Sequence, residues 1–182
     1  MLVELPILWL IIVNVTAWPV IHMAAAWIGT QLPVDLFRTE SWCYRERTWE
    51  RRGRLYETVF RVRRWKDRLP DGAAIFKKGF PKKRLKAGDP EYMARFARET
   101  CRGEVVHWGV LASSVFFFLW NPWWVGLIMV AYALFANVPC IIIQRYNRIR
   151  LMRLIDQTTG EEGHVNPGRN SLRSAETRLR RH

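Results

Sequence analysis

VVHWGVLASSVFFFLWNPWWVGLIMVAYALFANVPCIII, residues 105–143, contains no Asp, Glu, Lys or Arg, although charged residues crowd both of its ends. Asn121-Pro122 is a turn dipeptide that divides the run into 16 residues from Val105 to Trp120 and 21 from Trp123 to Ile143. A helical span needs about 20 apolar residues at about 1.5 Å each, so the second segment is long enough alone. The first needs Gly103 and Glu104 at the interface, or a short tilt. Trp120, Trp123 and Trp124 flank the turn, where indole rings favour the headgroup level. The stretch therefore predicts a membrane hairpin of two helices. A buried hairpin of a soluble protein is the competing reading, and length and charge exclusion count against it.

A third apolar stretch opens the chain, from Leu2 to Ile28, with one charge at Glu4 and breaks at Pro6 and Pro19. Ala24-Ala25-Ala26 has the small residues of a signal-peptidase site. No basic segment precedes it, however, and the apolar stretch is long for a signal peptide, so it is read as a retained span. Charge then orients the chain. Arg38 to Gly103 holds 20 Lys+Arg against 9 Asp+Glu, and Gln144 to His182 holds 9 against 4. With three spans both segments lie on one side, and basic flanks stay cytoplasmic. The expected fold class is all-α: an integral membrane protein of the cell membrane with three transmembrane helices, N-terminus out and C-terminus in. Its divisions are a first span over residues 1–32, a cytoplasmic basic and aromatic helical region over 33–103, the hairpin over 104–143, and a cytoplasmic basic segment with a disordered tail over 144–182.

The net charge of +13 and pI near 10.5 belong to those cytoplasmic faces. No nucleic-acid recognition motif accompanies them, so anionic lipid headgroups and phosphorylated co-substrates are the matching partners. Cys43, Cys101 and Cys140 form no C-x-x-C pair and read as reduced thiols, and no pattern fixes an oligomeric state. From Ser41 to Trp65, Trp42, Trp49, Tyr56, Phe60 and Trp65 recur among arginines. This spacing predicts a helix lying on the bilayer, or an ordinary amphipathic packing helix. Leu69-Pro70-Asp71-Gly72 ends it, residues 73–88 form a connection, and Asp89-Pro90-Glu91 reads as a helix start with an N-cap carboxylate. The tail after Asp156 is expected to be disordered.

Polar side chains inside the charge-free run are read first as a site, because at that depth they cost free energy unless paired or facing a cavity. His107 lies 14 residues before Asn121, and Asn137 lies 15 after Pro122. In antiparallel helices of equal rise both reach a depth about 21 Å from the turn. Glu104 shares a helical face with His107, one turn nearer the cytoplasm and level with Pro139 and Cys140. Gln144-Arg145-Tyr146-Asn147-Arg148 then forms a polar, basic rim. Histidine beside a carboxylate can serve as general base toward a hydroxyl, and an Asn amide can hold substrate or a developing oxyanion. The structural alternative has Glu104 paired with Arg102 or Arg145, His107 on a backbone carbonyl, and Asn137 as interhelical glue.

Several blocks carry a resemblance: Gly29-Thr30-Gln31-Leu32-Pro33 with Phe37-Arg38, Arg64-Trp65-Lys66 with Leu69-Pro70-Asp71-Gly72, Glu104 with His107-Trp108, and Ala136-Asn137-Val138-Pro139 leading to Gln144-Arg145-Tyr146-Asn147-Arg148. From Gly29 to Leu154 the chain resembles the glycosyl-4,4'-diaponeurosporenoate acyltransferases, membrane proteins that complete staphyloxanthin by esterifying a sugar hydroxyl with a fatty acyl group. The resemblance implies an acyltransferase acting on a glycosylated carotenoid or similar glycolipid, with a lipid-borne acceptor and an acyl donor as partners. It carries no assigned catalytic residues. A base for the acceptor hydroxyl is nonetheless required, and His107 is the histidine in the inner half of the hairpin. Glu104 and Asn137 are its candidate partners. Arg38, Arg64, Lys66, Arg145 and Arg148 are candidates for the phosphates of acyl-CoA, a co-substrate rather than a bound cofactor. A non-catalytic membrane partner assembling a lipid or carotenoid pathway is the rival reading. His-x4-Asp, H-E-x-x-H, C-x-x-C and glycine-rich phosphate loops are absent, and Glu104 with His107 supplies too few ligands for a structural zinc site.

Overall fold

The computed structural model describes residues 6–68 and 90–165, and every regular element in them is helical. Helix α1 covers Ile7–Gln31, α2 Arg54–Thr58, α3 Pro90–Ser113 and α4 Trp123–Val165. A 3-10 segment, Ser114–Leu119, carries α3 to the turn at Asn121-Pro122, and α4 starts immediately after it. The division expected at this dipeptide is thus observed. Two helices, α1 and the Trp123–Thr158 part of α4, are apolar and long enough to cross a membrane. Their outward faces are bare hydrocarbon and indole: Leu8, Val15 and Trp27 on α1, Leu127, Ile128 and Phe135 on α4. So large an exposed apolar surface matches the hydrocarbon of a membrane.

The α3 and α4 helices form the main antiparallel pair, and α1 packs on α3. Three side-chain clusters follow one another along this pair. Toward the turn, Trp18 of α1 stacks on Phe117 at 4.5 Å between ring centroids and joins Val110 and Ala133. At the other end Met93, Phe96 and Ala97 of α3 meet Leu151 of α4. Beside them Tyr56 and Val62 close on Tyr146 and Ile149. Gly29 sets the approach of α1: a Cβ there would stand 2.4 Å from Val106 Cγ2. The turn end is held by amides. Asn14 Nδ2 donates to Asn121 Oδ1 at 2.8 Å, and Asn14 Oδ1 accepts from Asn121 Nδ2 at 2.8 Å and from Trp120 Nε1 at 3.0 Å. Without these bonds the Asn14 amide and the Trp120 indole N–H would stand unsatisfied among apolar neighbours, while Asn121 would keep its Nδ2 donation to the Phe117 carbonyl at 2.9 Å.

Two expectations are corrected. Ser41–Trp65 is not one amphipathic helix: it folds as a 3-10 segment Thr48–Gly53, the five-residue α2 and a second 3-10 turn Val62–Arg64. Arg51, Arg52, Gly53 and Arg61 all take positive φ, which no α-helix accommodates. Glu50 in this stretch is wholly buried and bonded to Arg145 of α4, which ties the segment onto the hairpin, and the aromatics divide. Tyr56 enters the core while Trp42, Trp49 and Phe60 stay exposed. The second correction concerns the tail: helix α4 continues past Asp156 to Val165. The Leu69-Pro70-Asp71-Gly72 breaker, the 73–88 connection, the Asp89 cap and the tail beyond Val165 lie outside the described residues, although α3 does open at Pro90 with Glu91 in its first turn.

Candidate active site

Equal rise on the two arms of the hairpin brings His107 and Asn137 together, with Nδ1 of the imidazole 3.0 Å from Oδ1 of the amide. Asn137 is wholly buried, and its Nδ2 donates to the Ala133 carbonyl, one turn back, at 2.9 Å. That second bond decides the chemistry of the first. With Nδ2 committed to a carbonyl, Oδ1 is the atom turned to the ring and accepts from Nδ1–H, so the neutral imidazole carries its lone pair on Nε2. The amide therefore fixes both the tautomer and the plane of a half-buried imidazole. Pro139 lies inside α4 just beyond, where its missing N–H leaves the Phe135 carbonyl without an intrahelical donor.

One turn nearer the rim, Glu104 is buried and bound by two guanidinium groups: Oε2 accepts from Arg148 Nη2 at 2.6 Å, Oε1 from Arg145 Nη1 at 3.4 Å. Arg145 continues to Glu50, its Nε donating to Oε1 at 2.6 Å, and to the carbonyls of Cys43 and Arg45 at 3.1 and 3.3 Å. Tyr56 O–H and the Arg47 N–H also donate to Glu50. Burial by itself pushes the Glu50 carboxyl up. The bonds from Arg145, Tyr56 and Arg47 outweigh burial and hold it below the usual carboxylate range. Arg148 donates from Nε to the Tyr44 carbonyl at 3.1 Å, and its guanidinium lies 5.3 Å from the Tyr44 ring centroid. Two buried carboxylates thus balance two guanidinium groups, and residues 43–56 are clamped onto the mouth of the hairpin. Burial pushes the neighbouring Cys101 thiol up to about 11, so it is protonated at neutral pH and is no thiolate nucleophile.

The sequence-predicted residues therefore fall into three groups. His107 and Asn137 share one hydrogen bond. Glu104, expected as the orienting partner of His107, is instead engaged by Arg145 and Arg148, and the orienting bond to the imidazole comes from Asn137. Arg38 and Arg64 are exposed and Lys66 is half-buried. Among the described residues none of these three hydrogen-bonds to the Glu50–Arg145–Glu104–Arg148 network. Sequence reasoning missed Glu50, Tyr44 and Tyr56. Glu50 is one acid among many arginines, and only its burial distinguishes it. Asn14 was also missed, although an Asn within an apolar span is itself a signal. Among the described residues no three His, Cys, Asp or Glu side chains gather as a metal site.

A helical protein with apolar membrane-length helices and an amide-oriented histidine at the mouth of a polar-lined hairpin fits the class of membrane-associated transferases. Comparison with known sequences sharpens this. The sequence model of the glycosyl-4,4'-diaponeurosporenoate acyltransferases matches residues 40–157. Curated proteins of that name from Staphylococcus aureus strains bovine RF122 / ET3-1, USA300 and MRSA252 are each 32% identical to this chain over 138 residues, covering 76% of it and 83% of their own length. The chain belongs to this family and is an acyltransferase. The matched region begins after the Gly29–Arg38 block and contains His107, Asn137 and the whole Glu50–Arg148 network. No solved structure matches the chain.

Proposed function

We propose that the protein esterifies a hydroxyl of a glycosylated carotenoid, or of a similar glycolipid, with a fatty acyl group, using His107 as general base. The observation that carries this reading is the His107 Nδ1 to Asn137 Oδ1 bond at 3.0 Å, in the arm of a hairpin free of charged residues from 105 to 143. In the proposed step Nε2 takes the hydroxyl proton as the oxygen attacks the thioester carbonyl of acyl-CoA. The new C–O bond forms, the C–S bond breaks, and the proton passes from the imidazole to the departing thiolate. Asn137 acts as a positioning residue, holding the ring in the tautomer this step needs. Glu104, with its two arginines, keeps a fixed polar rim one turn away.

In this reading the chain crosses the cell membrane three times, with the N-terminus outside and residues 38–103 and the C-terminus in the cytoplasm. The spans fall within 1–32 and the two arms of 104–143, and 33–103 and 144–182 form the cytoplasmic face. The basic excesses of 20 to 9 and 9 to 4 support that orientation. The donor then arrives from the cytoplasm, with Arg38, Arg64 and Lys66 supplying positive potential for its phosphates, while Arg145 and Arg148, balanced by Glu50 and Glu104, hold the rim. The acceptor is drawn from the inner leaflet, where anionic lipids also meet the basic face. Purified protein in lipid nanodiscs should release thiol from palmitoyl-CoA only when a glycosylated carotenoid acceptor is present, with matching ester formed. Thiol release without ester, or no release with the acceptor present, would refute the assignment.

A further inference from the structure

Beyond the clamp, on the cytoplasmic stretch of α4, a half-open cleft of about 190 Å³ is walled by Gly53, Glu57, Arg63, Tyr146, Arg150 and Arg153 among others. We infer that this cleft binds a phosphate group, and, granted the acyltransferase reading, a phosphate of the acyl donor. Charge is the first argument. The one carboxylate, Glu57, is already neutralised by Arg63 at 2.7 Å and accepts from Tyr146 O–H at 2.8 Å. Arg150 and Arg153 remain, and among the described residues no carboxylate forms an ion pair with either. They leave a double positive charge, the complement of a phosphate monoester at neutral pH. Their spacing of three puts both on one face of α4, and guanidinium forks suit phosphate oxygens.

The backbone opposite gives the second argument. Arg51 and Arg52 have φ of 48° and 55°, Gly53 80°, and Arg61 48°. Left-handed conformation is strained at non-glycine residues, and such strain concentrates where a fixed geometry is required. Here it delivers Gly53 and Arg63 to the cleft wall. A Cβ on Gly53 would stand 3.2 Å from Arg153 Nη2, so the glycine leaves this guanidinium its place. Position is the third. Arg150 and Arg153 follow Ile143, the end of the charge-free run, by 7 and 10 residues, which is about 10 to 15 Å along the helix. The headgroup layer accounts for only about 5 to 7 Å of that. From Asn137 to Arg150 is 13 residues, about 20 Å, a separation that an extended pantetheine arm would bridge between a phosphate here and a thioester at His107.

The test uses full-length protein in nanodiscs and two probes. Coenzyme A is titrated calorimetrically into protein in phosphatidylcholine discs, and thermal midpoints are compared between phosphatidylcholine and phosphatidylglycerol discs. Arg150→Gln with Arg153→Gln should weaken coenzyme A binding at least tenfold, while exposed Arg95→Gln on α3 leaves it within twofold. Both cleft arginines are exposed, so an unchanged thermal midpoint in phosphatidylcholine serves as the folding check. Loss in the coenzyme A arm supports a donor-phosphate site. Loss confined to the phosphatidylglycerol shift overturns the donor assignment and makes the cleft a lipid-headgroup site. No loss in either arm, or equal loss in Arg95→Gln, overturns the phosphate site altogether. Kinetics separate this from the reading it rests on: the double variant should raise KM for acyl-CoA about tenfold and keep kcat within threefold. If wild type shows no acyl transfer, the acyltransferase reading fails whatever the cleft binds.

Discussion

Asn137 shows how one side chain can set the state of another. Its amide nitrogen is taken by Ala133, so its oxygen faces His107, and an imidazole with its proton on Nδ1 follows from hydrogen-bond counting. The pairing was legible in the sequence because both residues could be counted from one turn. Its polarity was not, since it depends on which amide atom α4 claims. The Asn14–Asn121 pair makes the complementary case. Asn121 reads as turn chemistry beside Pro122, yet its side chain is buried and bonded to α1. Asn14→Leu should therefore leave Trp120 and Asn121 short of partners and destabilise the detergent-solubilised protein by about 0.6 to 1.7 kcal/mol. Chemical or thermal denaturation of the variant measures this, and an unchanged midpoint would mean that the pair contributes nothing to holding α1.

Between elements, close approach and buried charge do different work. The α1–α3 contact depends on the missing side chain of Gly29. Gly29→Ala should cost about 1 to 3 kcal/mol by overpacking, and Val106→Ala should restore much of the loss because it removes the obstructing methyl. Thermal midpoints of the single and double variants decide it; absence of rescue would place the strain elsewhere. The cap on the hairpin depends instead on Glu50. Its carboxyl is depressed below the reference value of 4.5, so the stability it contributes is complete above about that pH and is lost as pH falls through the depressed value. Glu50→Gln should lower the thermal midpoint at pH 7, and the gap to wild type should close as pH falls through the depressed carboxyl value. A gap that persists in acid would show that charge is not its source. Sequence pattern failed here for a definite reason. Aromatics and arginines between 41 and 65 have the spacing of a surface helix, but one buried acid and three left-handed arginines break it, and neither burial nor φ is written in composition.

Over the whole molecule the sequence was most readable where lipid is the solvent, because there every backbone group must be satisfied locally and helices are the economical answer. The helical hairpin, its turn and the meeting of His107 with Asn137 followed from the charge-free run and from counting residues on either side of Asn121-Pro122. The cap over the hairpin mouth depends on long-range ion pairs separated by 95 and 44 residues, which no local pattern announces. Orientation is a property of this same scale. Reporter fusions after residue 80 and at the C-terminus should both be cytoplasmic and one at residue 121 external; an external reporter at 80 would invert the face on which donor and clamp are placed. The most direct test of the account is a double-mutant cycle on acceptor-dependent acyl transfer. His107→Ala should lose about 10²- to 10⁴-fold in rate with the fold intact. Asn137→Ala should lose part of that, and the two together should lose little more than His107→Ala alone, since residues acting as one unit are not additive. His107→Ala within a few-fold of wild type, or two losses that simply multiply, would contradict it.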